Sequence, residues 1–286
     1  MNRARGRFLA NRGAVVGAGL VAILIVFSVV GPLFVADPLA PDIDHGLSAM
    51  GAPLPPSAAS PLGTDHLGRD VLARVVAGSA TSLSVAAVST AIALAIGLLI
   101  GLLAGYAGGR LDNALMRLVD LVLSFPFLLL AILLAALLRE SGLASGSAPV
   151  FVTLGIVGWT TMARVIRAKA MTIARSEHVT AARAIGARPV RIVMRHILPN
   201  VAGVVVVVTA LGFAQNLLAE SVLSYLGLGP PPPTPTCGRM LYEGRVYYRT
   251  APWLVIAPGM VILLAVVAFN LLGEGLREFF DPKERR

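Results

Sequence analysis

The ionisable side chains of this chain are few, and their spacing excludes the commonest kinds of catalytic site. A phosphate-binding P-loop requires Gly-Lys followed by Ser or Thr, and neither Lys169 nor Lys283 follows a glycine. The segment Gly142–Gly146 reads GLASG, which lacks the G-x-S-x-G spacing of serine hydrolases. The four histidines show no metal-binding spacing such as HExxH: they are His45, His66, His178 and His196. The sequence therefore predicts no catalytic residue, no metal site and no cofactor in this chain.

Two carboxylates, Asp120 and Glu220, are the intramembrane acidic candidates. An acidic side chain inside a membrane is a functional candidate by default. Arg117 lies one helical turn from Asp120, so a structural ion pair is the favoured interpretation. Glu220 is expected to anchor the loop that follows it rather than to touch substrate. Because both acids lie towards helix ends and not at the midplane, a proton- or sodium-driven carrier is poorly supported.

The composition predicts an all-α integral membrane protein. Apolar residues make up 56% of the 286 residues and charged residues only 14%, against about 25% charged residues in a soluble domain. A bilayer core of about 30 Å needs about 20 helical residues. Six uncharged stretches qualify as transmembrane helices: Gly13–Ala36, Val75–Gly109, Leu121–Leu138, Ser141–Ala163, His196–Ala219 and Thr250–Gly273. The first of these stretches is longer than the hydrophobic core of a signal peptide, which has about 7–15 residues. We therefore expect that it is not cleaved and remains as a membrane anchor.

Basic residues set the predicted orientation of these helices. With the N-terminus inside, the inner segments carry 18 Lys and Arg residues and the outer segments carry six. Both termini are therefore expected to face the cytoplasm. The net charge of +9 follows from this bias, so no nucleic-acid partner is expected. The single cysteine, Cys237, excludes an intrachain disulfide.

The chain divides into four predicted parts. Residues 1–36 form a cytoplasmic tail and the first transmembrane helix. Residues 37–77 form a Pro-rich extracytoplasmic segment that ends in a short amphipathic helix on the membrane surface. Residues 78–280 form a five-helix core with a cytoplasmic loop at 167–198, and residues 281–286 form a C-terminal cytoplasmic tail.

Small residues and one proline mark the packing of this core. Gly97, Gly101 and Gly105 recur every four residues, which places them on one helix face and predicts a close approach of another helix. Ordinary packing and a packing face specialised for movement are both compatible with this spacing. Pro126 should kink the third helix.

The loop after the fourth helix has the signals of a short, separate helix. Ser176 can cap a helix over Glu177–Ile185, with the glutamate in the first turn. Gly186 can then end this helix in the left-handed conformation, and Pro189 suits the start of the next one. Val179, Ala182 and Ile185 form a thin apolar face. An isolated helix of this length is only marginally stable in water, so we expect it to pack against another surface. An ordinary basic loop remains the alternative interpretation of this segment.

At this loop the sequence resembles the permease family of binding-protein-dependent ABC importers. The family's loop reads Glu-Ala-Ala, three residues, Gly, nine residues, then Ile-x-Leu-Pro. The residues in register are Ala181, Ala182, Gly186, Leu198 and Pro199, with Thr180 at the Glu position and His196 at the Ile position. Further blocks, among them HLGRDVLARVVAG and AGYAGGRLDNALMRLVDLVLSFP, resemble the "C" subunit of dipeptide and oligopeptide importers, so the likeness covers roughly residues 60–282. Cys237 stands where relatives commonly have Trp.

The resemblance implies a type I ABC importer permease fold and a non-catalytic role in a bacterial or archaeal cell membrane. Implied partners are a second permease, two cytoplasmic ATPases (or one two-domain ATPase) that bind ATP and Mg²⁺, and an extracytoplasmic binding protein. The contact core for the ATPase would be Thr180, Ala181, Ala182 and Gly186, with Leu198 and Pro199 fixing the entry to the fifth helix.

Peptide is the expected cargo; nickel, haem or another small solute, and a stand-alone carrier, are the alternatives. The loop Gly227–Thr250 is expected to meet the binding protein or to serve in gating and packing.

Overall fold

The computed structural model describes residues 11–142 and 146–280 of the chain. The predicted terminal tails beyond these limits and most of the GLASG segment lie outside the described residues. We number the helices in chain order: α1 Arg12–Val30, α2 Val71–Ala107, α3 Gly109–Leu123, α4 Phe127–Glu140, α5 Ala148–Ala174, α6 Glu177–Ala184, α7 Pro189–Ile192, α8 Leu198–Tyr225, α9 Cys237–Gly244 and α10 Trp253–Phe280.

The helical, membrane-spanning fold class is confirmed. Five helical stretches in the described part are long and apolar enough to cross a membrane, and a bent pair, α3 with α4, supplies a sixth crossing if it counts as one span. Apart from two isolated β-bridges in the segment before α2, residues 11–142 and 146–280 form no extended pairing. The orientation of the two termini stays a prediction.

The predicted third helix is broken rather than kinked. Helix α3 ends at Leu123, α4 begins at Phe127, and the two axes differ by 86°. Pro126 has no backbone N–H, and it disfavours the helical conformation of the residue before it. The Ser124 hydroxyl donates to the carbonyl of Leu121 at 2.7 Å and closes the last turn of α3. The chain therefore turns sharply where a single bent span was expected.

The predicted amphipathic surface helix is wrong, because its residues form the first turns of the long helix α2. Asp70 caps α2, and its carboxylate accepts hydrogen bonds from the backbone N–H groups of Leu72 and Ala73 at 3.1 and 3.3 Å. Val71 and Val75 are buried against α9 and α10, in one cluster with Met240 and Leu254. Because other helices cover this apolar face, it is not available to the membrane surface.

Helices α2, α5, α8 and α10 build the body of the bundle, and α1 packs along α10. The α1–α10 contact depends on glycine at two places. A Cβ at Gly17 would lie 2.5 Å from the backbone N of Leu272, and one at Gly275 would lie 2.4 Å from the Cβ of Ala14. The first helix is therefore closely packed against the last one.

Candidate functional site

The short helix after α5 is present, and its N-terminus differs from the prediction in one detail. Helix α6 runs over Glu177–Ala184, one residue shorter than expected. Ser176 occupies the N-cap position in an extended conformation, but its side chain does not cap α6. The Ser176 hydroxyl instead donates to the carbonyl of Ile173 at 2.5 Å, and Thr180 donates to the carbonyl of Ser176 at 3.1 Å. The first bond ties the start of α6 to the last turn of α5, and the second lies within the first turn of α6.

One face of α6 is buried, and this corrects two expectations about the loop. Val179 is fully buried and Ala182 nearly so, in one cluster with Ile173, Ile192 and Ile197 of the flanking helices. Ala182 was expected in the contact surface for a partner, but it packs inward because it lies one turn after Val179.

Ile185, expected on the apolar face, is 86% exposed because α6 ends before it. The buried face of α6 is therefore narrower than the sequence pattern suggested.

The end of α6 follows the glycine signal in the sequence. Gly186 has φ of +80°, and a Cβ built on it would meet nothing within 4 Å. Its N–H donates to the carbonyl of Arg183 at 3.0 Å, and the N–H of Ala187 donates to the carbonyl of Ala182 at 3.0 Å. Glycine is therefore favoured here by backbone conformation and not by crowding.

The chain then enters the next span through a widened helical turn. Val193–Ile197, which contains His196, is a π-helical turn that joins α7 to α8. Leu198 and Pro199 open α8, and Pro199 lacks the N–H that would close a regular turn. A π turn accommodates such a break and often marks a functional position. Pro189–Tyr225 thus forms one continuous helical path from the loop into the bundle.

The outward surface of the loop combines small residues with apolar ones. Thr180 and Ala181 are exposed on α6. In the same loop Ile185, Val190 and Met194 are 86%, 73% and 58% exposed. Exposed apolar side chains of this kind are typical of a docking surface. We call residues 167–198 the coupling loop, after the role that the family resemblance implies for them.

The glycine series on α2 lies against α5. A Cβ at Gly97 would lie 2.8 Å from the Cβ of Met162, and one at Gly105 would lie 2.7 Å from the Cβ of Ala170. At Gly101 the nearest atoms, at 2.9 Å, are the carbonyl oxygen of Ala163 and side-chain atoms of α5. Since backbone and Cβ atoms cannot give way as a flexible side chain can, these three positions let α2 and α5 approach closely.

The acidic candidates make contacts that the sequence did not indicate. Asp120 pairs with Arg164 of α5, not with Arg117, because the two helices lie side by side there. A second pair joins the same helices, in which Arg167 donates to Asp112 at 2.5 Å. Neither partner could be found from helical spacing, since the paired residues are far apart in sequence.

Glu220 is fully buried near the end of α8, and its carboxylate accepts a hydrogen bond from Ser224 at 2.6 Å. The loop after α8 crosses directly over this point: a Cβ at Gly229 would lie 2.0 Å from the Ser224 hydroxyl. Within the described ranges, no three His, Cys, Asp or Glu side chains are grouped to hold a metal.

Comparison with known proteins identifies the family. Residues 97–286 match the family described as "Binding-protein-dependent transport system inner membrane component". Residues 1–56 match the "N-terminal TM domain of oligopeptide transport permease C". The chain belongs to this permease family. It is a multi-pass membrane permease of the ABC importer class.

Curated relatives match the permease over nearly its whole length. The oligopeptide transport system permease protein OppC of Escherichia coli (strain K12) is 38% identical over 285 residues, which cover 99% of this chain and 91% of the relative. The dipeptide transport system permease protein DppC of Haemophilus influenzae is 36% identical over 279 residues, which cover 96% of this chain and 92% of the relative.

Among solved structures, an inward-facing form of the MetNI methionine ABC transporter superposes with a TM-score of 0.60 at 20% identity, over 72% of this chain and 96% of that chain. At this identity the superposition shows that the fold is shared.

At the opposite end of the permease from the coupling loop, five charged side chains form an ion-pair cluster. Arg69 and Arg74 both donate to Asp65, the former at 2.7 Å. Arg74 and Arg239 both donate to Glu243, each at 2.9 Å. The cluster joins the segment before α2 to α2 itself and to α9.

Burial alone would raise the pKa of Asp65, but Arg74, Arg69 and two backbone N–H groups outweigh burial and lower it. The pKa of Glu243 is lowered in the same way, by Arg74 and Arg239 against burial. Sequence reasoning missed this cluster, because Glu243 lies far along the chain from its partner Arg74.

Cys237, the departure from the family's usual Trp, opens α9 in the interior of the permease. It is 1% exposed, and its backbone N–H donates to the hydroxyl of Ser82 on α2 at 3.3 Å. Burial, with a contribution from the charge of Glu220, raises the pKa of the Cys237 thiol to about 12. The thiol is therefore protonated near neutral pH and inaccessible, which points to a packing role.

Proposed function

We propose that this permease and a second permease together form the path by which di- and oligopeptides cross the membrane, driven by ATP hydrolysis in partner subunits. The observation that carries the proposal is the coupling loop. Its helix α6 is packed on one face and presents Thr180 and Ala181 on the other. A short helix packed in this way can be displaced by a bound partner protein without unfolding.

The geometry offers a direct mechanical route from the loop to the bundle. Val179 and Ala182 pack in one cluster with Ile192 and Ile197. A displacement of α6 would therefore also move α7 and the π turn. From there the helical path continues without a break to Tyr225. ATP binding can drive transport only if its free energy differs between the inward- and outward-open states. In this proposal the ATPases supply that difference, and the packed loop transmits their motion to the bundle.

The proposed partners follow from the family. Two cytoplasmic ATPases, or one two-domain ATPase, would bind ATP and Mg²⁺ and close against the coupling loop, and this permease would itself be non-catalytic. An extracytoplasmic binding protein would deliver cargo at the opposite end, with Gly227–Thr250 as the proposed contact. In this proposal both termini would face the cytoplasm, and the complex would lie in a bacterial or archaeal cell membrane.

Peptide is the proposed cargo because relatives that match over nearly the full chain are named as oligopeptide and dipeptide permeases. The proposal is tested by purifying the tagged permease from its native membrane in mild detergent and identifying the co-purifying chains. We expect a second permease, ATPase subunits and a binding protein, and ATP-dependent uptake of a labelled peptide by the reconstituted complex. A chain that remains alone after cross-linking in the membrane contradicts the proposal.

A further inference from the structure

A cavity of ≈ 560 Å³ opens at the break between α3 and α4, and several of the side chains that line it are exposed. Its walls are the residues around that break, the central part of α5 and the second half of α8. Gly158 and Gly212 both line the cavity, and a Cβ at Gly212 would lie 2.3 Å from the Cε atom of Met162, another lining residue. Its volume falls in the range of about 300–1,000 Å³ that is usual for small-molecule sites.

The lining is apolar except for a few neutral polar groups. Leu123, Phe127 and Val165 are typical of its apolar part, and no lining residue carries a charge. The polar side chains that line it are Thr160, Thr161, Gln215 and Asn216. An apolar wall with a few polar groups is the usual pattern of a ligand site.

Two carboxamides in the cavity keep hydrogen-bonding capacity for a ligand. Asn216 donates one N–H to the Thr90 hydroxyl at 3.0 Å, which fixes the side chain and leaves its carbonyl oxygen without a partner among the described residues. Gln215, one position earlier, is exposed and has no hydrogen-bond partner in the described part of the chain. Each carboxamide can both donate and accept.

We infer that this cavity receives an uncharged side chain of the transported peptide, while Gln215 and Asn216 bind the adjacent peptide group. This inference rests on the proposed function and names the part of the permease that touches the cargo. A peptide group offers one donor and one acceptor, which matches a carboxamide. The apolar wall matches an aliphatic or aromatic side chain. A charged side chain fits poorly, because nothing in the wall compensates for its loss of water.

The chemistry of the wall argues against two other occupants. A lipid acyl chain has no group that could satisfy the carboxamides of Gln215 and Asn216. A helix of the second permease satisfies its own backbone groups internally, so its backbone could not pair with the two carboxamides. A peptide in extended conformation, whose backbone groups are free, satisfies both the polar and the apolar parts of the wall.

The first test narrows the cavity and compares cargoes of different size. Thr161→Trp fills it from α5, and Ile156→Trp on the same helix, exposed but outside the lining, is the matched control. The complete importer is reconstituted, and uptake of Phe-Phe-Phe is divided by uptake of Ala-Ala-Ala. We expect Thr161→Trp to lower this ratio about tenfold and Ile156→Trp to leave it unchanged.

A second variant tests the polar part of the wall. Gln215→Leu keeps the volume but removes the carboxamide, so uptake of both tripeptides should fall together, by about fivefold or more, with an unchanged ratio. Loss of the second permease from purified Thr161→Trp would show that a partner helix fills the cavity and would overturn the inference. An intact complex with an unchanged uptake ratio overturns it as well.

A direct binding measurement separates this inference from the proposed function. A tripeptide carrying benzoylphenylalanine is photolysed with the purified complex, and the labelled segments are identified. Labelling of α5 or α8 in the wild type, lost in Thr161→Trp, supports the cavity even if no tripeptide is transported. Labelling confined to other segments overturns the cavity site, whatever the uptake assay shows.

Discussion

At the scale of single residues, the coupling loop depends on one backbone conformation at Gly186. Its φ of +80° is open to glycine and, at small cost, to asparagine, but it is strained for a β-branched residue. Because a Cβ would meet nothing there, the strain acts on the backbone alone. We predict that Gly186→Val introduces about 1–3 kcal/mol of backbone strain. This strain should shift the end of α6 and uncouple ATP hydrolysis from uptake.

The measurement compares ATP hydrolysis and peptide uptake by reconstituted Gly186→Val and Gly186→Asn complexes. Hydrolysis should persist in both, while uptake should fall several-fold in the valine variant and stay near wild type in the asparagine variant. Equal uptake by the two variants would show that the left-handed conformation has no part in coupling.

At the scale of elements, the sequence predicted helices more reliably than their ends. The six apolar stretches, the short helix of the coupling loop and the glycine face of α2 follow from hydrophobic runs and small-residue spacing, which are local properties. Where α2 starts and how α3 ends could not be foreseen, since α9 and α10 cover Val71 and Val75 only in the folded chain. The pairing of Asp120 with Arg164 is likewise set by neighbouring helices, whereas the inward packing of Ala182 follows the apolar face that its spacing from Val179 indicates.

The ion-pair cluster that holds α9 to α2 should make the stability of the permease depend on pH. The pKa of Asp65 is lowered in the folded chain. Its contribution is therefore complete above the unfolded pKa of about 4 and is lost as pH falls through the folded value. We predict that the thermal unfolding temperature in detergent falls as the pH is lowered below about 4.

Asp65→Asn should remove part of this pH dependence. It should also lower the unfolding temperature at neutral pH, because it leaves the buried Arg74 without one of its partners. Breaking a buried ion pair costs about 3–5 kcal/mol of stability. Asp44→Asn is the matched control, because Asp44 is exposed and outside the cluster. Scanning calorimetry across this pH range measures both variants. If the unfolding temperature depends on pH identically in Asp65→Asn and in the wild type, the cluster does not cause the pH dependence of stability.

At the scale of the whole molecule, the helical path Pro189–Tyr225 runs from the coupling loop, the proposed docking surface, to the part of α8 that lines the cavity. Assembly through that surface predicts that bulk at Ala181, exposed on α6, blocks the ATPase. We predict that Ala181→Arg abolishes co-purification of ATPase subunits, while Ala181→Ser retains it, because serine adds little volume. Since Ala181 is exposed, neither change should disturb the fold or the pairing with the second permease. Retention of the ATPase by Ala181→Arg would move the docking surface away from α6.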